Sequence, residues 1–236
     1  MNGFKRIALY IKKKIWIKKM INGGAEIGTH TVFSDIVNSK IDSTRPWLLS
    51  IGDYCVISSG VTILTHDYSL STLRRVYGEW IGEGNITSIG DNCFIGMDVV
   101  ILMGSKIGNN VIVGAGSVVH GCIPDNVVVA GNPARVICSL EEYYIKRKKR
   151  TISEAKICAE RFYDRFNCIP KPRDLAGFKF LFCPRNPEII RNYDLSFNCS
   201  ADEPKEVEEA FYNSEPYWSN FEEFLNGCNF KNITTD

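Results

Sequence analysis

A chain of 236 residues with 44% hydrophobic content can bury a full core and hold one domain with extensions. Its formal net charge of +1 points to no particular partner and gives no ground for expecting nucleic-acid binding. Nine cysteines, an odd number scattered singly and without a CxxC pair, indicate neither a disulfide framework nor a zinc site.

Charge is nevertheless uneven. Residues 1–25 carry Lys5, Arg6, Lys12, Lys13, Lys14, Lys18 and Lys19, and no acid precedes Glu26. Phe4, Ile7, Ile11 and Ile15 recur at spacings of three and four, which predicts a helix with one apolar side and a basic face. Two roles compete for it: capping the next domain or packing in an assembly, and lying on an anionic membrane surface. The first is favoured. The apolar runs are too short for a membrane span or a signal-peptide core, so the expected compartment is the cytoplasm, at its membrane face if the second role holds.

Residues 26–138 are expected to form a left-handed parallel β-helix, making the fold mainly β with a helix before it and a helical extension after it. An aliphatic residue recurs every six positions: Ile51, Ile57 and Ile63, then Ile89, Ile95, Ile101, Ile107, Val113 and Val119. Glycine follows several of them (Gly52, Gly90, Gly96, Gly108, Gly114), where it is expected to relieve crowding at a turn. The fourth residue after each aliphatic is small or β-branched, as at Cys55, Val61, Cys93, Val99, Ser105, Val111 and Ser117. A period of six does not fit a 3.6-residue stripe, so the hexads read as short strands wound into a three-sided prism. The aliphatic fills the prism, and the cramped slot beside it makes Cys55 and Cys93 packing residues. A weaker copy starts at Ile27, 24 residues or four sixes before Ile51, with a blurred stretch around Arg45-Pro46-Trp47.

The rhythm breaks between Ile63 and Ile89. Residues 69–88 are expected to protrude as a loop, with Arg74, Arg75, Tyr77, Glu79 and Trp80 giving it the aromatic and charged character of a carbohydrate-binding lip or of an assembly contact. Beyond the coil, residues 139–236 read as a helical extension. It has runs at Leu140–Arg150 and Ser153–Phe166, then several prolines, then an aromatic tail through Phe211, Tyr217, Trp218, Phe221 and Phe224.

Three stretches carry a resemblance: ILTHDYS at 63–69, IGDNCFIGMDVVILMGSKIGNNVIVGAGSVV at 89–119, and IPDNVVVAGNPARVI at 123–137. They resemble the hexapeptide-repeat acyltransferases of the galactoside, maltose and nodulation O-acetyltransferase group, and in flavour those that modify capsule or lipopolysaccharide sugars. The resemblance implies a homotrimer with sites between subunits, acetyl-CoA as acyl donor, no metal, and a sugar or glycan acceptor. It implies that His66, at the boundary of the interruption, is the general base for direct transfer, with the adjacent Asp67 a candidate to orient it or to bind the acceptor. It makes Asn38, in the blurred stretch, a candidate to hold the acceptor, and the composition of the loop adds Arg74, Tyr77 and Trp80. Gly96, Met97, Gly114, Ala115 and Arg135 fall at the donor, the last near the adenosine phosphates. Gly121 stands where relatives often carry a lysine, which weakens the expected phosphate grip unless Lys106 or a neighbouring subunit's Arg135 compensates; Phe94 replaces a tryptophan and alters little beyond an indole hydrogen bond.

Three rivals remain open. N-acetyl transfer to an amino sugar would use the same frame. A zinc hydratase would need His30, His66 and His120 clustered, though they are far apart in sequence. A non-catalytic assembly module would need no donor at all.

Overall fold

A computed structural model describes residues 3–190, 193, 195–197 and 201–230; the side chains of residues 3–7, 9 and 189 fall outside that description. The chain divides into two compact units, Met1–Tyr143 and Tyr144–Asp236.

The first unit begins with α1 (Gly3–Asn22) and then winds. Its first coil comprises β1 (Glu26–Ile27), β2 (Val32–Phe33) and β3 (Lys40–Ile41). The second comprises β4 (Leu49–Ile51), β5 (Val56–Ile57) and β6 (Thr62–Ile63). After the interruption come β7 (Thr87–Ile89), β8 (Phe94–Ile95) and β9 (Val100–Ile101), then β10 (Lys106–Ile107), β11 (Ile112–Val113) and β12 (Val118–Val119). The last turn has β13 (Cys122–Ile123) and β14 (Val127–Ala130), and β15 (Arg135–Ser139) folds back antiparallel on β14. Successive strands pass to successive sheets, ordered β1-β4-β7-β10-β13, β15-β14-β11-β8-β5-β2 and β12-β9-β6-β3. This is the expected left-handed parallel β-helix.

The hexad aliphatics stack in register, one column per sheet. Ile51 lies over Ile89, Ile57 over Ile95, and Ile63 over Ile101, and all six are at most 2% exposed. Each such burial stabilises by about 1.5–3 kcal/mol, which drives the coil. The small slots at Cys55, Val61, Cys93, Val99, Ser105, Val111 and Ser117 are equally closed. Cys55 and Cys93 each direct their thiol to a main-chain carbonyl of the next coil, Gly90 and Gly108 respectively, at 3.1 Å. Contact with Cys55 and burial push the Cys93 thiol well above its ordinary range, as befits a packing residue.

Glycine plays a different part from the one expected. Where glycine follows the aliphatic, the next coil comes close: a Cβ on Gly52 would lie 2.8 Å from both Asp91 N and Gly90 C. The turn itself is made two residues later, in the left-handed conformation. Gly60 and Gly104 occupy it at φ +75° and +79°, and Tyr54, Asn92, Asp98 and Asn110 occupy it elsewhere. Replacing Gly52 by alanine is therefore expected to destabilise the unit by about 1–3 kcal/mol, read as a lower thermal midpoint.

On the corner after the first sheet, a side-chain ladder ties the coils together. Asp53 N donates to Asp91 Oδ1, Asp91 N to Asn109 Oδ1, and Asn109 N to Asp125 Oδ1, each at 2.8 Å. Asn92 and Asn110 form a parallel amide ladder, extended to Asn126.

The blurred stretch is a true coil, but 24 residues make three strands with longer corners and not four hexads. Phe33 takes the inward place in β2 and Ile41 that in β3. At the N-terminal end, α1 lays Met20, 1% exposed, and the half-buried Trp16 and Ile17 against this core. Trp16 meets Phe33 edge-on at 5.6 Å. The expected apolar side is not the capping one. Ile11 and Ile15 are 50% and 62% exposed, while the side chains of Phe4 and Ile7 lie outside the described residues.

In the second unit, the two expected helical runs belong to one helix, α3 (Leu140–Phe166), which starts in the first unit. Arg147 and Glu154 form a bidentate pair across the gap between those runs, at 3.0 and 2.7 Å. After a 3-10 stretch at Pro172–Leu181 come α4 (Pro187–Ile190), α5 (Pro204–Tyr212) and α6 (Phe221–Asn226). Ala155 and Ala159 of α3 pack with Leu175, Phe182, Trp218 and Phe224 into a separate core. The small alanines let the aromatic rings approach the helix closely.

Candidate active site

The third corner follows the sheet of β3 and β6, and the break in the coil begins there. Because Ile41 pairs with Ile63 in register, the residues that follow, Asp42 and Thr65-His66, lie on adjacent coils. Asp42 N donates to Ile63 O at 2.9 Å, which holds the two turns together. The His66 ring then places Nδ1 2.6 Å from Asp42 Oδ2. Both side chains are largely shielded, at 14% and 4% exposure. Asp42 also accepts from the Thr65 hydroxyl and from the backbone N and hydroxyl of Thr44, the latter two at 2.9 and 2.7 Å.

Burial alone would raise the Asp42 carboxyl. Hydrogen bonds from Thr65, Thr44 and His66 outweigh it and hold the group far below the ordinary carboxylate range. A carboxylate that stays ionised can only accept, so the proton of neutral His66 is held on Nδ1. That leaves the Nε2 lone pair to take a proton. Tyr68 packs edge-on against the ring at 5.3 Å.

Asp42 is thus the orienting group that the sequence reading did not single out. Asp67, the residue expected there, uses its carboxylate to accept from Ser69 N at 2.7 Å, just before α2 (Leu70–Tyr77). Hydrogen bonds from Ser69 hold the Asp67 carboxyl below its usual range. The Asp67 backbone N donates to Glu83 Oε1 at 2.7 Å. Asn38 is likewise occupied locally, its amide 2.5 Å from Asp35 Oδ2.

The expected loop 69–88 contains α2 followed by an extended return. Arg74 lies over the Trp80 ring at 4.1 Å, and Trp80 and Tyr77 are 84% and 69% exposed. The return is anchored by Arg45, whose Nη1 donates to Glu83 O at 2.5 Å. This gives the irregular Arg45-Pro46-Trp47 stretch a purpose, since the buried Pro46 fixes the corner from which Arg45 reaches.

The expected donor residues gather on the second corner, in one column. Ile95 pairs with Val113 and Val113 with Val129, so Gly96-Met97 lies beside Gly114-Ala115, with Ala130 next. Gly116 N donates to Met97 O at 2.8 Å, and a Cβ on Gly96 would lie 2.6 Å from Ala115 N. Arg135 pairs with Ala130 and ends the column, exposed, with Nη1 2.9 Å from Ala134 O. The carboxylate and amide ladder of the first corner has no counterpart here: Ser59, Met97 and Ala115 fill the equivalent places. Gly121 has φ +72°, a left-handed conformation that glycine adopts without strain. His66 stands on a different edge of the prism from Met97 and Ala115, so one chain does not bring them together.

Among the described residues, no group of three or more His, Cys, Asp or Glu is placed to hold a metal ion. His30 stacks on Tyr54 at 4.7 Å, and His120 is exposed.

Residues 86–121 match the family model "Bacterial transferase hexapeptide (six repeats)". Protein CapG of Staphylococcus aureus is 40% identical over 154 residues, 62% of this chain and 88% of that protein. The galactoside O-acetyltransferase of Escherichia coli is 30% identical, over 61% of this chain and 72% of its own length. The putative colanic acid biosynthesis acetyltransferase WcaF of Escherichia coli is 32% identical, over 48% and 69%. With the hexad columns and a relative aligned over most of its length, the chain belongs to the hexapeptide-repeat acyltransferase family.

Proposed function

We propose that the protein transfers acetyl from acetyl-CoA to a hydroxyl of a sugar or surface-polysaccharide precursor, directly and with His66 as general base. The observation that carries this reading is the Asp42–His66 pair at the break in the coil, with Nδ1 held and Nε2 available. The acceptor hydroxyl gives its proton to Nε2 as its oxygen attacks the thioester carbonyl. A backbone N–H meets the developing oxyanion. Collapse breaks the C–S bond, and the departing thiolate takes the proton back from the imidazolium, leaving an acetyl ester and free coenzyme A. The names of the galactoside and colanic acid relatives support a sugar or glycan acceptor.

Met97, Ala115 and their glycines would flank the pantetheine arm, with Arg135 toward the phosphates. The donor column and His66 occupy different edges, which favours a closed trimer in which the second corner of one chain faces the third corner of the next. Leu73, Val76, Ile81 and Ile86, all more than a third exposed, offer apolar surface for that neighbour. Neither donor nor acceptor chemistry calls for secretion, and the reading places the enzyme in the cytoplasm.

Incubation with acetyl-CoA and candidate glycans, followed by product mass, tests the proposal; absence of a His66-dependent acetylated product with every acceptor would end it. Trp80→Ala is expected to raise KM for the glycan about tenfold while leaving acetyl-CoA affinity unchanged, because only the exposed stacking ring is lost.

A further inference from the structure

The helix α1 has two apolar stripes, and only one is used by the coil. Residues turn about 100° per step along a helix, so Trp16, Ile17 and Met20 share one arc while Ala8, Ile11 and Ile15 lie on the opposite side. The first arc packs on the β-helix core. On the second, Ala8, Ile11 and Ile15 are exposed. Lys14 and Lys18 flank that stripe on one side and Lys12 and Lys19 on the other, and all four are exposed. Tyr10 is 58% exposed, with the Lys14 ammonium 4.8 Å from its ring centroid. No acid precedes Glu26 to offset these cations.

We propose that this outer face of α1 seats the protein on an anionic phospholipid surface, with Ile11 and Ile15 entering the headgroup boundary and the four lysines meeting lipid phosphates. Charge complementarity selects this occupant. A protein surface would have to supply acids on both sides of a narrow apolar strip, whereas a bilayer presents that pattern everywhere. The helix would lie in the interface, since no helix among the described residues is long and apolar enough to cross a membrane. Capping and membrane contact are then compatible, one on each face. The inference does not depend on the acetyl-transfer reading.

The test is cosedimentation of the full chain with phosphatidylcholine vesicles, with or without about a third phosphatidylglycerol. Binding is expected only to the anionic vesicles, weakening about tenfold when salt rises from roughly 0.05 to 0.5 M. The doubles Ile11→Ser with Ile15→Ser, and Lys14→Glu with Lys18→Glu, replace exposed side chains, and circular dichroism checks that they fold. Each is expected to lose about tenfold or more in vesicle affinity at unchanged oligomeric mass. Equal binding to neutral vesicles, no binding to anionic ones, or full retention by both doubles would overturn the proposal. So would a changed oligomeric mass with vesicle binding intact, which would assign the face to another copy of the chain.

Discussion

His66→Ala is expected to lower kcat for acetyl transfer by about a hundredfold to ten-thousandfold, with acetyl-CoA affinity and thermal midpoint close to wild type. Asp42 holds the His66 imidazole with Nε2 ready to accept a proton, and loss of the imidazole leaves the acceptor hydroxyl to attack unassisted. A hundredfold corresponds to about 2.7 kcal/mol of barrier. Calorimetry with coenzyme A separates this from donor binding, since the donor column belongs to another corner. A variant with unchanged kcat would remove His66 from the chemistry.

Asp42→Asn is expected to cost nearly as much, about a thousandfold in kcat, for a different reason. The amide can present an N–H to Nδ1, which moves the imidazole proton to Nε2 and blocks the base. KM for acetyl-CoA should stay put, and the loss should appear in kcat. The same substitution carries a pH signature. The folded-state Asp42 carboxyl is depressed by its hydrogen bonds, so its stabilisation is complete above the unfolded carboxylate range, near pH 3.9, and is lost as pH falls toward the folded value. The gap in thermal midpoint between wild type and Asp42→Asn should therefore be constant near neutrality and shrink below about pH 4. A gap that widens in acid would contradict this assignment.

The contrast between the two aspartates shows what the chain reveals when read linearly. Ile51 to Val119 announce the prism because a six-residue period survives any ignorance of contacts. The proposed base and its partner do not announce themselves. Asp67 is adjacent to His66 and looks like its partner, but consecutive side chains in a turn diverge. Asp42 lies 24 residues earlier and becomes a neighbour only through the β3–β6 register. The interval is itself legible in hindsight, since it equals the step from Ile27 to Ile51 and from Phe33 to Ile57. It was obscured because β2 to β3 and β3 to β4 have longer corners, which hides a coil from a hexad count. In the same way, the period of α1 marks apolar residues without saying which stripe the coil will claim; Trp16 and Met20 win because they face Phe33 and the open end of the core. The glycine pattern was visible, but its cause, the approach of one coil to the next, belongs to the stacked structure.

The reversed strand β15 has a further consequence. A stack of identical turns carries no intrinsic stop: each layer exposes the template for the next, as in a growing fibre. By running back along β14, β15 replaces that template on one face with a strand of opposite direction, on which another turn cannot be laid in register. At the opposite end, α1 covers the core with a helix that offers no strand edge. The two ends of the prism are thus unlike its middle turns, and removing either cover is expected to leave a strand edge or the end of the core open to association.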